Sequence, residues 1–293
     1  MTAVHPRLAP HGIAVGLGLP MAISFPGRTP GWSQTATPAD MLRLARAADS
    51  LGYAFLTVSD HVVVSRRAAQ ALGGTWYAPV PTLAYIAAAT ERIRLCTHVL
   101  VMPLRHPLVM ARELGTLDHL SGGRLIIGAG TGHLRSEFAA LGVDHERRGA
   151  LTDEHLEQLE RHWHGQTDLI IEPAPRQSPR PRIWIGGNNA RALRRAHRFA
   201  DGWVPWQIEL DTLRSLLEEQ GHPGEVTLPH TIDPLGVDGA PQTADQCLEA
   251  LRTLMTAGVT AVTAGFPNRS LDELIAQMEC FAASVLPACA ALS

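Results

Sequence analysis

The chain contains no lysine; all 25 of its cationic side chains are arginines. That absence excludes mechanisms built on a Schiff-base amine, including pyridoxal phosphate anchorage, and excludes a P-loop with its phosphate-binding lysine. Cysteine is sparse. Cys96, Cys247, Cys280 and Cys289 show no CxxC spacing, so neither a disulfide framework nor a zinc site is indicated. His162 and His164, two residues apart on a helix, point to different faces and make no metal pair. Neither GxSxG nor HExxH occurs, which removes the common signatures of acyl transfer and zinc hydrolysis. No apolar run reaches the roughly 18 residues of a membrane span. The apolar stretch 12–25 after Arg7 is interrupted by Pro20 and is followed by no clean cleavage site, so it reads as a first strand and not a secretion signal. A formal net charge of -3 with 18% charged residues is too even to attract nucleic acid or an anionic membrane. The expectation is a cytoplasmic protein acting on a small molecule, with no metal, nucleic acid or membrane partner.

What is present is a regular alternation. With 293 residues, 45% of them hydrophobic, the chain is long enough for one large core. Apolar runs bounded by Gly and Pro mark eight strands, at Gly12–Leu19, Ala54–Ser59, Arg94–Val101, Arg124–Gly130, Arg182–Gly186, Gly202–Trp206, Glu225–Asp233 and Val259–Ala264. Helical patterns lie between them. Pro38–Leu51 opens after Thr37 and closes at Gly52; Pro107–Leu120 closes at Ser-Gly-Gly; Asn188–Ala200 starts on Asn188 as N-cap. Thr243–Ala257 closes at Gly258, and Ser270–Val285 opens with a capping box from Ser270 to Glu273. Asp153, Glu154, Glu157, Glu160 and Arg161 read as the solvated face of a long helix, and residues 172–182, rich in Pro and Arg, as a semi-rigid surface linker. Eight strand–helix units in a chain of this length fit an α/β fold of the (β/α)8 TIM-barrel class, one domain over 1–293. A doubly wound sheet is the competitor. Its dinucleotide loop belongs on the first strand, whereas the glycine run GAGTG ends the fourth, and no acidic residue ends a strand about 20 residues later.

In a barrel the site lies where strands run into helices. Two of those loops are long enough to be lids: the loop after strand 1, with Phe25, Arg28 and Trp32, and the loop after strand 2, with Arg66, Arg67, Trp76 and Tyr77. Ser59-Asp60-His61 stands at the exit of strand 2, where a histidine can take or give a proton near neutrality and an adjacent carboxylate can orient it or hold a polar ligand edge. On strand 3, strict alternation puts Cys96, His98 and Leu100 on one side and Thr97, Val99 and Val101 on the other. The glycine turns Gly130-Thr131-Gly132, with His133 and Ser136 following, and Gly186-Gly187-Asn188 each open a helix with exposed backbone N–H groups suited to an anion. Trp184 and Trp203 read as core.

These segments together resemble the bacterial luciferase-like monooxygenase superfamily, in its coenzyme F420-dependent branch. The resemblance is carried by ARAADSLGYAFLTVSDHVVV, by the near-continuous run from Ile93 to Val143, by RRGALTDEHLEQLERHW and by PRIWIGGNNARALRRAHRFADGWVP, from about residue 12 to 206. It implies a deazaflavin ring across the barrel mouth, with Asp60 and His61 on its reactive side. Thr97, His98 and Val99 would support the other face through a bulge that is often built on a non-proline cis peptide. The coenzyme phosphate would sit at Gly130, Thr131, Gly132 and Ser136 and at Gly186, Gly187 and Asn188; whether Arg28, Arg66 or Arg67 grips its glutamate tail is left open by the sequence. His61 would be the acid/base, with His133 as a second acid. Cys96 stands where the family usually has glycine, and His98 where a small residue is common. His133 replaces a catalytic glutamate of the sugar-phosphate dehydrogenases, and Ala78 an aspartate. The resemblance leaves two alternatives open: an FMN-dependent two-component monooxygenase and a non-catalytic flavin-binding relative. A homodimer is common in such families.

Overall fold

The computed structural model of the protein describes residues 5–27, 29–232 and 242–292. Eight strands, β1 (Ala14–Gly18), β2 (Phe55–Val58), β3 (Arg94–Val101), β4 (Leu125–Gly130), β5 (Arg182–Gly186), β6 (Gly202–Val204), β7 (Glu225–Ile232) and β8 (Ala261–Ala264), pair in chain order, all parallel. The sheet closes through β1 and β8, with Ala14 opposite Ala261. Eleven α-helices are described: α1 (Pro38–Ser50), α2 (Arg66–Leu72), α3 (Pro79–Ala87), α4 (Pro107–Leu120), α5 (Arg135–Ala140), α6 (Arg148–Trp163), α7 (Ala190–Phe199), α8 (Leu210–Gln220), α9 (Ala244–Thr256), α10 (Leu271–Ser284) and α11 (Leu286–Cys289). The expected (β/α)8 TIM barrel is therefore present, with long loops after β1 and β2. Of the expected residues, Arg28 and Asp233 lie outside those described.

Alternation along each strand divides the core in two. One face packs outward against the helices, joining Leu56, Leu95, Ile127, Ile183 and Val226 to Leu44, Ile86, Leu114 and Leu193. The other faces the axis, where Ala14, Phe55, Cys96, Ile126, Trp184, Val204 and Ala261 form a filled layer. Phe55 and Trp184 meet edge to face at 5.3 Å. Beneath that layer a buried ion pair, Arg182 Nη1 to Glu225 Oε2 at 2.6 Å, also takes the Trp184 Nε1–H at 2.8 Å. The N-terminal segment closes this end: Leu8 N–H donates to Glu225 at 2.8 Å, and Arg182 donates to the Pro6 carbonyl at 2.6 Å. With the N-terminal end of the cylinder sealed, access is left to the opposite end.

Several local expectations are corrected. Asn189, not Asn188, caps α7, its side chain accepting from Ala192 N–H. Ser270 caps α10, but Glu273 turns its carboxylate to the Arg269 backbone and side chain, so no reciprocal box forms there. Reciprocal boxes do form at Thr37 with Asp40 and at Thr243 with Gln246. The acidic face of α6 is not simply solvated: Asp153 and Glu157 pair with Arg195 and Arg198 of α7, and Glu160 with the buried Arg180. The linker 172–182 is pinned. Asp118 accepts from Arg176 N–H and Gln177 N–H at 2.7 and 2.8 Å, and Arg180 also grips Asp201 at 2.6 Å. Among the described residues, no helix is long and apolar enough to cross a membrane.

Candidate active site

The open end of the barrel is shaped by a break in β3. Thr97 pairs with Ile127 but Leu100 with Ala129, so β3 carries one residue more than β4 between the two pairs. The His98–Val99 peptide within this bulge is cis. The extra residue reverses the alternation. Leu100 joins Leu95 in the outer core, while Cys96 faces the axis, so the expected grouping of Cys96, His98 and Leu100 on one side does not hold. The Val99 side chain turns inward instead. A methyl group added at Gly128, Gly130 or Gly186 would lie 3.3, 2.5 or 3.0 Å from its carbons. Those glycines are matched to Val99, which explains why two neighbouring strands end in bare backbone.

Two residues above the Phe55–Trp184 layer, the inward positions are Gly16, Thr57, Gly128, Gly186, Thr227 and Thr263, reached by alternation from Ala14, Phe55, Ile126, Trp184, Glu225 and Ala261. With Val99 they make a layer of small side chains. Below this layer the large rings of Phe55 and Trp184 fill the axis. The cradle continues at Gly132, where φ is +75° and a methyl group would strike Val101 and Phe138 at 2.6 and 2.8 Å. Gly187, at φ +135°, has Ala192 2.8 Å from the same hypothetical carbon.

His61 stands at the exit of β2 with its side chain only 7% exposed. Its Nδ1 lies 2.9 Å from Glu137 Oε2, and the second oxygen of that carboxylate accepts from Val62 N–H at 2.6 Å and Val63 N–H at 3.3 Å. Burial alone would push the Glu137 carboxyl up; the hydrogen bonds from His61, Val62 and Val63 and the nearby imidazole outweigh it and hold the group below its ordinary value. Trp76 presents its ring edge-on to His61 at 4.4 Å, and His133 follows at 5.5 Å. Burial, and then the neighbouring His61, lower the His133 pKa, so this second imidazole is neutral at pH 7.

The structure thus brings His61 and His133 together. The adjacent carboxylate expected to orient His61 does not do so. Asp60 is engaged by both terminal nitrogens of Arg105, at 2.6 and 2.8 Å, and by Val101 N–H at 2.9 Å. The orienting group is Glu137, which the sequence reading missed. Its only local signal was an acid in the first turn of α5 beside Phe138, both of them buried. Thr97 is fully buried and donates its hydroxyl to the Gly128 carbonyl at 2.9 Å; His98 and Val99 are partly buried. Thr131 is half-buried at the glycine turn and Ser136 is exposed on α5. The Asn188 side chain is spent on the backbone of Trp206, accepting from its N–H at 2.6 Å and donating to its carbonyl, which ties the loops after β5 and β6.

The two lids pack on each other over this end. Ile23 and Trp76 form an antiparallel bridge, Phe25 meets Trp76 edge to face at 5.4 Å, and Tyr77 N–H donates to the Ala22 carbonyl at 3.0 Å. Trp32 Nε1–H donates to Asn268 of the loop after β8 at 2.5 Å. Arg66 and Arg67 are exposed at the start of α2.

Comparison with known proteins agrees with this architecture. Residues 19–233 match the model of the luciferase-like monooxygenase family. An uncharacterized protein of Mycobacterium tuberculosis is 30% identical over 277 residues, covering 85% of this chain and 94% of that protein. An F420-dependent glucose-6-phosphate dehydrogenase of Nakamurella multipartita is 32% identical over 181 residues, 57% of this chain and 52% of its own length. An FMNH(2)-dependent dimethylsulfone monooxygenase of Pseudomonas putida is 27% identical over 158 residues, 47% and 43% of the two chains. Among solved structures, the monooxygenase RslO1 of Streptomyces bottropensis superposes with a TM-score of 0.76 at 22% identity, over 94% of this chain and 99% of that one. At that identity the likeness is one of fold.

Proposed function

The chain belongs to the luciferase-like monooxygenase family, and we propose that within it the protein is a coenzyme F420-dependent oxidoreductase with His61 as its acid/base. The observation that carries this reading is the His61–Glu137 pair at the rim of a barrel whose upper inward positions include Gly16, Gly128, Gly186 and Val99. The Nakamurella multipartita relative, F420-dependent, is matched over a longer stretch than the FMNH(2)-dependent one, 181 residues against 158.

When bound, a deazaflavin supplies a two-electron carrier that exchanges hydride with a carbon of a small or medium organic substrate and reacts only sluggishly with oxygen. The chain's own residues do the rest. Val99, set inward by the bulge, offers an apolar shelf for one face of a planar ring, and the backbone at Thr97 and His98 continues it. The turn Gly130-Thr131-Gly132 opens backbone N–H groups to a phosphate and Ser136 adds a hydroxyl, whereas at the second turn the Gly187 N–H is spent on the Val204 carbonyl at 3.2 Å and Asn188 holds that turn in place through Trp206. Asp60 keeps the rim rigid through Arg105. His61 takes the hydroxyl proton of the substrate as its carbon is oxidised, or returns a proton in the reductive direction. His133, neutral at pH 7, stands next to it as a second proton-exchanging group. The Phe25–Trp76 lid excludes water.

FMN is the second reading, favoured by the Pseudomonas putida relative. Titration of the purified protein with each coenzyme separates the two. The proposal expects micromolar affinity for F420; tight FMN binding with no F420 binding overturns it. A His61→Ala protein that still binds F420 but has lost hydride transfer supports the assignment of the acid/base. One that retains full turnover removes it, as does a wild type that binds coenzyme without any reaction.

A further inference from the structure

We propose that Glu137 is the positioning residue for His61: it holds the imidazole proton on Nδ1 and thereby leaves the lone pair of Nε2 as the atom that exchanges a proton with substrate. The inference rests on the acid/base role given to His61 above, but its geometry stands independently. Glu137 has a fully buried side chain and lies 76 residues from His61 in sequence. Its two oxygens have separate tasks. Oε1 takes the N–H groups of Val62 and Val63 at 2.6 and 3.3 Å, and Oε2 is left to the imidazole at 2.9 Å.

An ionised carboxylate has lone pairs only and cannot donate. The atom facing it across 2.9 Å therefore carries the hydrogen, and that atom is Nδ1. The other neutral tautomer would set the nitrogen lone pair against the carboxylate oxygen inside a water-poor pocket, where such repulsion is poorly screened. A half-turn of the ring would replace Nδ1 by a carbon and forfeit the bond, while Trp76 at 4.4 Å and His133 at 5.5 Å crowd the ring from other directions. His133 is the titratable group facing His61 from the loop after β4, and Glu137 the one facing it from α5. Of these two, Glu137 is the one that hydrogen-bonds Nδ1.

The carboxylate is also placed where it senses the neighbouring loop. α5 begins three residues after Gly132, whose left-handed backbone fits between Val101 and Phe138, the residue next to Glu137. The turn proposed to hold phosphate and the residue that sets the His61 proton thus share one rigid stretch of chain. With a coenzyme bound to accept the hydride, the substrate O–H bond would break as its carbon is oxidised. The proton would go to Nε2, the carboxylate at Nδ1 would stabilise the imidazolium so formed, and the proton would then leave to solvent.

A purely structural role, stapling Val62 and Val63, is separated by Glu137→Gln. The glutamine carbonyl oxygen still accepts both backbone N–H groups, so the staple survives, but its NH2 group now points a donor at Nδ1. His61 must then carry its hydrogen on Nε2. Long-range nitrogen–proton NMR on protein labelled with 15N-histidine, without coenzyme, reads the tautomer directly. In spectra taken at a pH high enough to deprotonate the imidazolium, the wild type should show a protonated Nδ1 and a bare Nε2 at His61. Glu137→Gln should exchange the two signals with its melting temperature nearly unchanged, and Glu137→Asp, still ionised, should restore the wild-type pattern at least in part. A Glu137→Gln protein whose His61 tautomer matches the wild type overturns the inference, as does a wild type with the hydrogen on Nε2. Failure to bind F420 would sink the coenzyme assignment and leave this measurement standing.

Discussion

Arg105 closes on Asp60 with a two-point grip, Nη1 to Oδ2 at 2.6 Å and Nη2 to Oδ1 at 2.8 Å, and the Val101 N–H completes the carboxylate at 2.9 Å. This clamp joins the exits of β2 and β3, the strands that carry His61 and the bulge. Its carboxylate is 1% exposed and its guanidinium 21%, so the pair is only partly screened by water.

The first prediction concerns that clamp. Asp60→Ala orphans the Val101 N–H and leaves Arg105 without its partner, at a cost of about 2–4 kcal/mol. Urea unfolding should show a lower midpoint at unchanged slope. An unaltered midpoint would mean that the clamp contributes no stability.

The second concerns the match of glycines to Val99. Gly130→Ala places a methyl group 2.5 Å from a Val99 methyl, whereas Gly128→Ala places one 2.0 Å from the Thr97 carbonyl oxygen. Side chains yield and backbone does not, so Gly128→Ala should destabilise more, with overpacking costs of about 1–3 kcal/mol for the milder case. Val99→Ala should rescue Gly130→Ala but not Gly128→Ala in a double-mutant cycle. Equal rescue of both contradicts the inward placement of Val99.

Third, Trp76 is the point where the two lids meet, touching Phe25 and His61 and bonding Gly73. Trp76→Ala should leave the barrel intact, because the residue lies outside both core layers, yet speed limited proteolysis in the loops after β1 and β2 severalfold. Trp76→Phe, which retains an edge for both rings, should fall between the two. Unchanged cleavage in Trp76→Ala would disconnect the lids.

The fourth follows from three histidines, His133, His155 and His222, each held below the ordinary value of 6.5 chiefly by burial. A histidine depressed in the folded state binds its proton more readily when unfolded. Its stabilising contribution is therefore complete above pH 6.5 and is lost as pH falls through the lowered folded value. Denaturation midpoints should decline over that window, and His155→Gln, remote from the proposed chemistry, should flatten the decline. A profile identical in slope to the wild type would remove His155 from the account.

Much of the framework was visible in the chain itself. β3 and β5 have the bounds expected from their apolar runs, as does α4 between its proline and its Ser-Gly-Gly stop. Trp184 and Trp203 are fully buried. The places of His61 and the glycine turns at strand ends were recognisable because the apolar runs stop just before them. What local pattern could not supply was the effect of one extra residue in β3: a period of two has no memory of a bulge, so Val99 was assigned to the wrong side. The role of Asn188 was hidden for a similar reason, since its partner Trp206 belongs to the next unit.

The sequence by itself determined the alternation of strand and helix, the closing of eight units into a cylinder, and the end of that cylinder at which its long loops lie. Those follow from hydrophobic period, chain stiffness and turn residues, all of which act between neighbours. Only the tertiary structure decided that Glu137 and not Asp60 holds His61, that Asp60 belongs to Arg105, and that glycines on β4 and β5 make room for Val99. These are pairings between elements brought together by the barrel, and they depend on distances of a few tenths of an ångström that no local period encodes.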